Sequence, residues 1–168
     1  MSLSFVALLR GINLGAKNKV DMKSLKLLFE ELGYENVRTY IQTGNVIFDN
    51  TTYDVLQLQI ALLETYGFDI PVVIRSKEEL EEILQHPIFL KEQVYSMFLE
   101  KEVSDNQLTI LENLVSDEFV VWNRRNIIIN LSKTYHQTKF TNTFFEKKLG
   151  MTSTARNQNT VNKILMKM

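Results

Sequence analysis

The 168-residue chain contains no cysteine. That excludes disulfides, thiolate zinc sites, iron–sulfur clusters and cysteine nucleophiles. Histidine is nearly absent as well. His86 and His136 lie far apart and show no metal-ligand spacing, so no metal site or cofactor is assigned. Long apolar runs are missing. Phe5–Leu9 is closed at once by Arg10, too short for the core of a secretory signal. No run approaches the length of a membrane span. The expectation is a cytoplasmic protein with no membrane partner. Catalytic signatures are missing too: there is no Gly-x-Ser-x-Gly elbow, no His-Glu-x-x-His and no Ser/His/Asp pattern. Glu78, Glu79, Glu81 and Glu82 fill the first turns of one helix, where the helix dipole accounts for them without catalysis. No catalytic residue is assigned, and whether the chain is an enzyme stays open; without an evident general base, binding is favoured over catalysis.

Charge of one sign is concentrated in stretches. Residues 1–75 carry seven Lys/Arg and eight Asp/Glu, residues 76–120 three and eleven, and residues 121–168 nine and one. The net charge of −1 therefore hides a segment at −8 followed by one at +8. Acidic and basic surfaces can neutralise each other within one fold, or the basic C-terminal segment can meet an anion.

Pattern and punctuation give the elements. Phe5–Leu9 reads as a buried strand. Asp21 caps a helix with Met22, Leu25, Leu28, Phe29 and Leu32 on one face, ended by Gly33. Val37–Gln42 and Val46–Asp49 form a hairpin around Thr43-Gly44-Asn45. Asp54 caps a helix with a broad stripe, Val55, Leu56, Leu58, Ile60, Leu62 and Leu63, expected to be well buried. Gly67 closes it, and Ile70–Ile74 is a strand in which Pro71 predicts a late start or an edge position. This order is that of a split βαβ, or ferredoxin-like, fold. Ser76–Glu79 is a capping box opening a helix with Leu80, Ile83 and Leu84 inward. The second half reads Val94–Leu99 strand, a helix capped at Ser104, strands Phe119–Trp122 and Ile127–Leu131, a helix opened by a Thr143–Glu146 capping box and ended by Gly150, then a last helix with Val161, Ile164, Leu165 and Met168. The order of elements resembles the first half, while the residues show no match. The expected fold class is α+β: two ferredoxin-like halves with antiparallel sheets and an extra C-terminal helix. The expected division is 1–75, a linker helix and connection at 76–92, and 93–168.

Two polar segments exceed what a connection needs. Gly11–Lys17 is not a P-loop, because Ala16 stands where the second glycine belongs and no Ser or Thr follows Lys17. Backbone N–H groups at Gly11 and Gly15 could still form an anion nest near Arg10, Lys17 and Lys19. Thr154–Thr160 precedes an amphipathic helix, whose start welcomes an anion that Arg156 could grip. Alternatively Asn157 or Thr154 merely caps that helix and Arg156 pairs with the acidic middle segment. Tyr40, Phe48 and Trp122 are strand aromatics of a kind that can stack on RNA bases, but the basic–glycine–aromatic signature of an RNA-recognition motif is absent.

Three segments in order, Leu8–Asn13 with Lys19–Met22, Val37–Val46, and Leu149-Gly150 with Thr154–Lys163, resemble the bacterial domain-of-unknown-function family numbered 1697. The resemblance covers essentially the whole chain. It implies a two-part α+β protein of ferredoxin-like character and says little of function. The family's Gln-Ser-Gly-Asn is here Gln42-Thr43-Gly44-Asn45, which keeps a hydroxyl; its Arg-Asn-Trp-x-Thr is here Arg156-Asn157-Gln158-Asn159-Thr160, with Gln158 in place of Trp.

The expected function is binding of a phosphorylated or other anionic small molecule or nucleotide. The site would combine the first loop, the 43–45 turn and the start of the last helix. Arg10, Lys17 and Arg156 would hold charge; Asn13, Gln42, Thr43, Asn45, Asn157 and Thr160 would orient the ligand. Two other readings are RNA or single-stranded DNA binding through the basic C-terminal half, expected to be weak, and a ligand-free interaction module. The chain is expected to be a monomer or homodimer.

Overall fold

The computed structural model describes residues 3–86, 94–114, 118–130 and 139–168. Its elements run β1 Leu3–Leu9, α1 Met22–Glu31, β2 Glu35–Tyr40, β3 Asn45–Asn50, α2 Val55–Tyr66, β4 Val72–Ser76 and α3 Lys77–Leu84. They continue with β5 Val94–Leu99, α4 Asp105–Glu112, β6 Phe119–Trp122, β7 Asn126–Asn130, α5 Asn142–Leu149, β8 Ser153–Asn157 and α6 Gln158–Lys167. Two antiparallel four-stranded sheets result, ordered β2-β3-β1-β4 and β6-β7-β5-β8. Both have the strand order of the ferredoxin-like plan. By its contacts the chain divides into one unit of residues 1–81 with 163–168 and a second of residues 82–162.

Local chemistry sets the helix ends. Asp21 and Asp54 accept the backbone N–H of Ser24 and Gln57 at 3.0 Å each, capping α1 and α2. Ser104 and Gln107 form a reciprocal capping box at α4, and Ser76 and Glu79 do the same at α3. Gly67 and Gly150 close α2 and α5 in the left-handed conformation. In the first unit Phe5, Ala7 and Leu9 of β1, Val46 and Phe48 of β3 and Val72 and Ile74 of β4 meet Leu25, Phe29, Leu58 and Leu62 of the helices in one core. In the second, Met97, Leu99, Ile127 and Ile129 meet Leu111, Phe145 and Leu149. Each large side chain so buried contributes about 1.5–3 kcal/mol. The alternate strand residues face away from the helices and are buried too: Val6, Leu8, Ile47 and Val73 in the first unit, Val94, Phe98 and Ile128 in the second.

Five expectations need correction. Ser153–Asn157, which overlaps the polar Thr154–Thr160 segment to which no strand was assigned, is the strand β8; neighbouring β5 supplies its ladder, so strand formation needs no apolar alternation here. The α2 stripe is not all buried: Leu58 and Leu62 are covered, whereas Leu56, Ile60 and Leu63 are 66%, 48% and 42% exposed. One sheet face reaches only one side of a helix. The α5 cap is Thr141, whose hydroxyl accepts Phe144 N–H, not Thr143, because Glu146 turns instead to Ser153 N–H at 3.1 Å. Asn45 is the first residue of β3 rather than part of the turn. Phe48 lies in the helix-side core, not on an open sheet face. Pro71 does as expected: β4 starts at Val72 and is an edge strand. His136 and the end of the connection at 87–92 lie outside the described residues.

The β2–β3 turn is closed by Gly44, whose carbonyl accepts Leu9 N–H at 2.8 Å. Its φ is +95°, and a Cβ there would sit 2.7 Å from Ile12 Cδ1 and 2.9 Å from Leu9 Cβ. Gly44→Ala is therefore expected to destabilise by about 2–4 kcal/mol, read by urea denaturation; a loss below about 0.5 kcal/mol would contradict this packing.

Candidate functional site

Registering the two sheets on each other reveals residue matches hidden in the linear sequence. Leu8 pairs with Asn45 and Val73 just as Phe98 pairs with Asn126 and Thr154. Val6 pairs with Arg75 as Ser96 pairs with Arg156. Loop contacts repeat as well: Leu9 N–H to Gly44 and Leu99 N–H to Arg125, both 2.8 Å, and Arg10 N–H to Pro71 at 3.1 Å and Glu100 N–H to Thr152 at 3.0 Å. The expectation that only element order matches is thus corrected at two chemically telling positions, an asparagine at the start of the third strand and an arginine on the fourth. In this superposition α6 is the counterpart of α3.

The asparagines are clamps. Asn45 Nδ2 donates to the Tyr40 carbonyl at 2.9 Å and to Thr43 Oγ1 at 3.1 Å. Asn126 Nδ2 donates to the Trp122 carbonyl at 3.3 Å. Both side chains are buried, and each ties a hairpin across its turn.

The arginines are buried on the face of their sheet away from the helix-side core. Arg75 Nη1 donates to the Ile74 carbonyl at 3.0 Å, and Arg156 Nη1 to the Ala155 carbonyl at 2.9 Å. Arg75 also lies 4.0 Å from the Glu79 carboxylate on α3. The equivalent of Glu79 on α6 is Thr160: the residue after each arginine, Ser76 or Asn157, accepts the N–H three residues on, Glu79 at 3.2 Å or Thr160 at 2.8 Å. Burial lowers the Arg156 pKa to about 10, so it remains ionised at neutral pH. Because the folded value lies below the unfolded one, the charge weighs against folding at neutral pH; that cost is relieved as pH rises through about 10.

Beside Arg156 in the ladder are two hydroxyls, that of Ser96, which sequence reading missed, and that of Thr154, which it read as a candidate helix cap. Ser96 and Thr154 are fully buried, and neither hydroxyl has a hydrogen-bond partner among the described residues. A third such oxygen, Ser4 Oγ, belongs to a partly exposed residue of β1. Ser96 looks like an ordinary strand residue in sequence and Thr154 like a helix cap; the register places them where the first unit has Val6 and Val73.

The expected site residues fall in both units. In the first, Asn13 Nδ2 donates to the Gln42 carbonyl at 2.9 Å and to the Val20 carbonyl at 3.1 Å, while its Oδ1 accepts Val20 N–H at 2.9 Å. Asn13 thereby joins loop to hairpin. Lys17 is exposed and closes a tight turn with Leu14 through two 3.0 Å backbone bonds. Arg10 is half-buried behind β1, and Gln42 and Thr43 are exposed on the hairpin turn. Asn13 and Gln42 line a cleft of about 430 Å³ with Lys19, Asp21 and Lys23 at the start of α1. In the second unit Asn157 is exposed and caps α6, Thr160 is buried, and Gln158, in place of the family Trp, is the first residue of α6 and half-buried. The strand aromatics are engaged: Lys167 Nζ lies 5.3 Å from the Tyr40 ring, and Trp122 packs edge-on with His86 and donates to the Glu82 carbonyl at 3.3 Å. Among the described residues no group of three metal-ligating side chains comes together, and no helix is long and apolar enough to cross a membrane.

Comparison with known proteins gives two findings. The sequence profile described as "Protein of unknown function (DUF1697)" matches residues 3–127. The structure of conserved bacterial protein SP0830 from Streptococcus pneumoniae superposes with a TM-score of 0.72 at 24% identity, covering 99% of this chain and 98% of that one, and so shares its fold. No curated protein matches.

The clamps are open to test. Asn45→Ala leaves the Tyr40 carbonyl without its side-chain donor and is expected to cost about 1–3 kcal/mol; Asn126→Ala, whose bond is longer, should fall at the low end of that range. Chemical denaturation of each single variant checks both, and a negligible change at Asn45 would remove the clamp from the account.

Proposed function

The chain belongs to the DUF1697 family of proteins of unknown function, and from that premise we propose that it binds an anionic small molecule, a phosphorylated metabolite or nucleotide fitting its groups best. The observation that carries this reading is the β8–α6 junction. There a buried, ionised Arg156 sits in a stretch, residues 147–168, that holds five basic residues and no acidic one. Guanidinium, amide and hydroxyl groups of Arg156, Asn157 and Thr160 match the acceptor oxygens of a phosphate or carboxylate. A charge held out of water gains most from an anion that shares its low-dielectric surroundings.

The first-unit residues support the same reading less directly. Arg10, Lys17, Lys19 and Lys23 make the region around the first loop and α1 electropositive, which attracts anions at long range. Asn13, Thr43 and Asn45 hold the loop and hairpin in shape, so their proposed part is to position Gln42 and the basic side chains. Binding suffices for this reading, and no bond-breaking step is invoked. The protein is proposed to act in the cytoplasm.

Thermal unfolding in the presence of inorganic phosphate, phosphorylated metabolites and nucleotides tests the proposal, since a ligand of the native state raises the melting temperature with its concentration. At least one of these anions is expected to stabilise the wild type, and Arg156→Met, which keeps most of the side-chain volume, is expected to remove that stabilisation. Absence of stabilisation by every anion tried would refute the proposal. Tight binding of single-stranded RNA or DNA that survives high salt would replace it with the nucleic-acid reading.

A further inference from the structure

We infer that the outer edge of β6 is an interaction surface, which pairs antiparallel with β6 of a second copy of this chain. The inference stands apart from the anion reading. An edge strand offers unpaired N–H and C=O groups to any other strand, and folds ordinarily block it. Among the described residues, β2, β4, β6 and β8 form the sheet edges, and all but β6 are blocked. In the β1–β4 ladder Arg10 N–H donates to the Pro71 carbonyl, so Val72, Ile74 and Ser76 turn their backbone groups outward. Gln59 Oε1 accepts the Val72 N–H at 3.1 Å, and Glu79 Oε1 accepts the Ser76 N–H at 3.0 Å. In β8 the outward N–H of Ser153 donates to Glu146 at 3.1 Å. β2 carries the charged Glu35 and Arg38, a register shift between them, and Asn36 at a φ of +50°.

β6 has no such device. Asn130 N–H donates to the Glu118 carbonyl at 2.7 Å, so Val120 and Trp122 bond to β7 while Phe119 and Val121 turn their N–H and C=O outward. Among the described residues no strand, loop or side-chain group meets those outward groups. The strand is held extended in advance. The Phe119 ring lies 5.0 Å from that of Phe140 and 5.2 Å from that of Phe145, and Asn126 clamps the Trp122 carbonyl across the turn. A rigid edge loses little freedom when a strand is added. The residues of β6 select the occupant. Antiparallel pairing about Val120 sets Phe119 opposite Val121 of the copy and Val121 opposite its Phe119, so one aromatic–branched pair is used twice about a two-fold axis. All the outward N–H and C=O groups of both copies are then met. Charge agrees. The strand is entered through Glu118 and left through Arg124 and Arg125, so an antiparallel copy brings acidic ends to basic ends, whereas a parallel copy would set like charges together.

The test uses the full-length protein. Sedimentation velocity over a range of concentrations is expected to show a shift from the chain mass to twice that mass. Val121→Pro removes an outward N–H and leaves the β7 ladder intact. It is expected to weaken self-association at least about tenfold. Its melting temperature at dilution should stay within about 4 °C of the wild type. Should that variant not fold, hydrogen exchange of the wild type decides. The Phe119 and Val121 amides should exchange at least about tenfold more slowly in concentrated than in dilute protein, while the Val120 and Trp122 amides stay protected throughout. A wild type that remains monomeric up to about 1 mM would overturn the inference. So would a dimer that Val121→Pro leaves intact and that adds no protection at Phe119 and Val121. Protection of those two amides by an added extended peptide, with the protein itself monomeric, would make a foreign strand the occupant and overturn the second copy.

Discussion

A guanidinium taken out of water must be met by acceptors, and both sheets of this protein carry one at the same place in the ladder. Arg75 and Arg156 each donate back to the carbonyl of the residue before them. Each is followed by a residue that caps the next helix, Ser76 for α3 and Asn157 for α6. Strand, buried cation, cap and helix thus form one repeated device. Its demands reach into the rest of the unit. The fourth strand must pair with the first to hold the arginine on the sheet face, and the helix must start at once to bring its first turn to the charge. The helix-side cores, built from Phe48 and Phe29 in one unit and Phe145 and Ile127 in the other, supply the hydrophobic stabilisation against which that buried charge is tolerated.

The units differ in the residues placed around that cation. The first unit uses an internal carboxylate, Glu79, and surrounds the ladder with valine. The second has Thr160 at that helix position and serine and threonine on the strands. The clamps Asn45 and Asn126 are common to both units, each donating across its own hairpin.

Much of the fold was legible in the sequence because the signals were local. Asp21, Asp54, Ser76 and Ser104 each announce a helix start through side-chain acceptors that compete only with water, and each caps its helix. Strands with branched apolar residues, such as Val94–Leu99, fall where expected. What escaped was decided at long range. Ser153–Asn157 has no apolar alternation, and only the ladder with β5 makes it a strand. Leu56, Ile60 and Leu63 share the composition of core residues, but the sheet covers the other side of α2. Asn13 and Asn45 stand out in the sequence as polar residues, and in the structure both donate to backbone carbonyls of the loop and hairpin, contacts between distant residues that a residue type alone does not reveal. Ser96 gave no signal in sequence and Thr154 only that of a candidate helix cap, because a hydroxyl's lack of a partner is a property of its surroundings.

The measurement closest to the central claim is a high-resolution crystal structure grown in inorganic phosphate. The account predicts tetrahedral density at the β8–α6 junction, within hydrogen-bond distance of the Arg156 guanidinium. Water alone at that position, or phosphate bound only elsewhere on a well-ordered molecule, would contradict it.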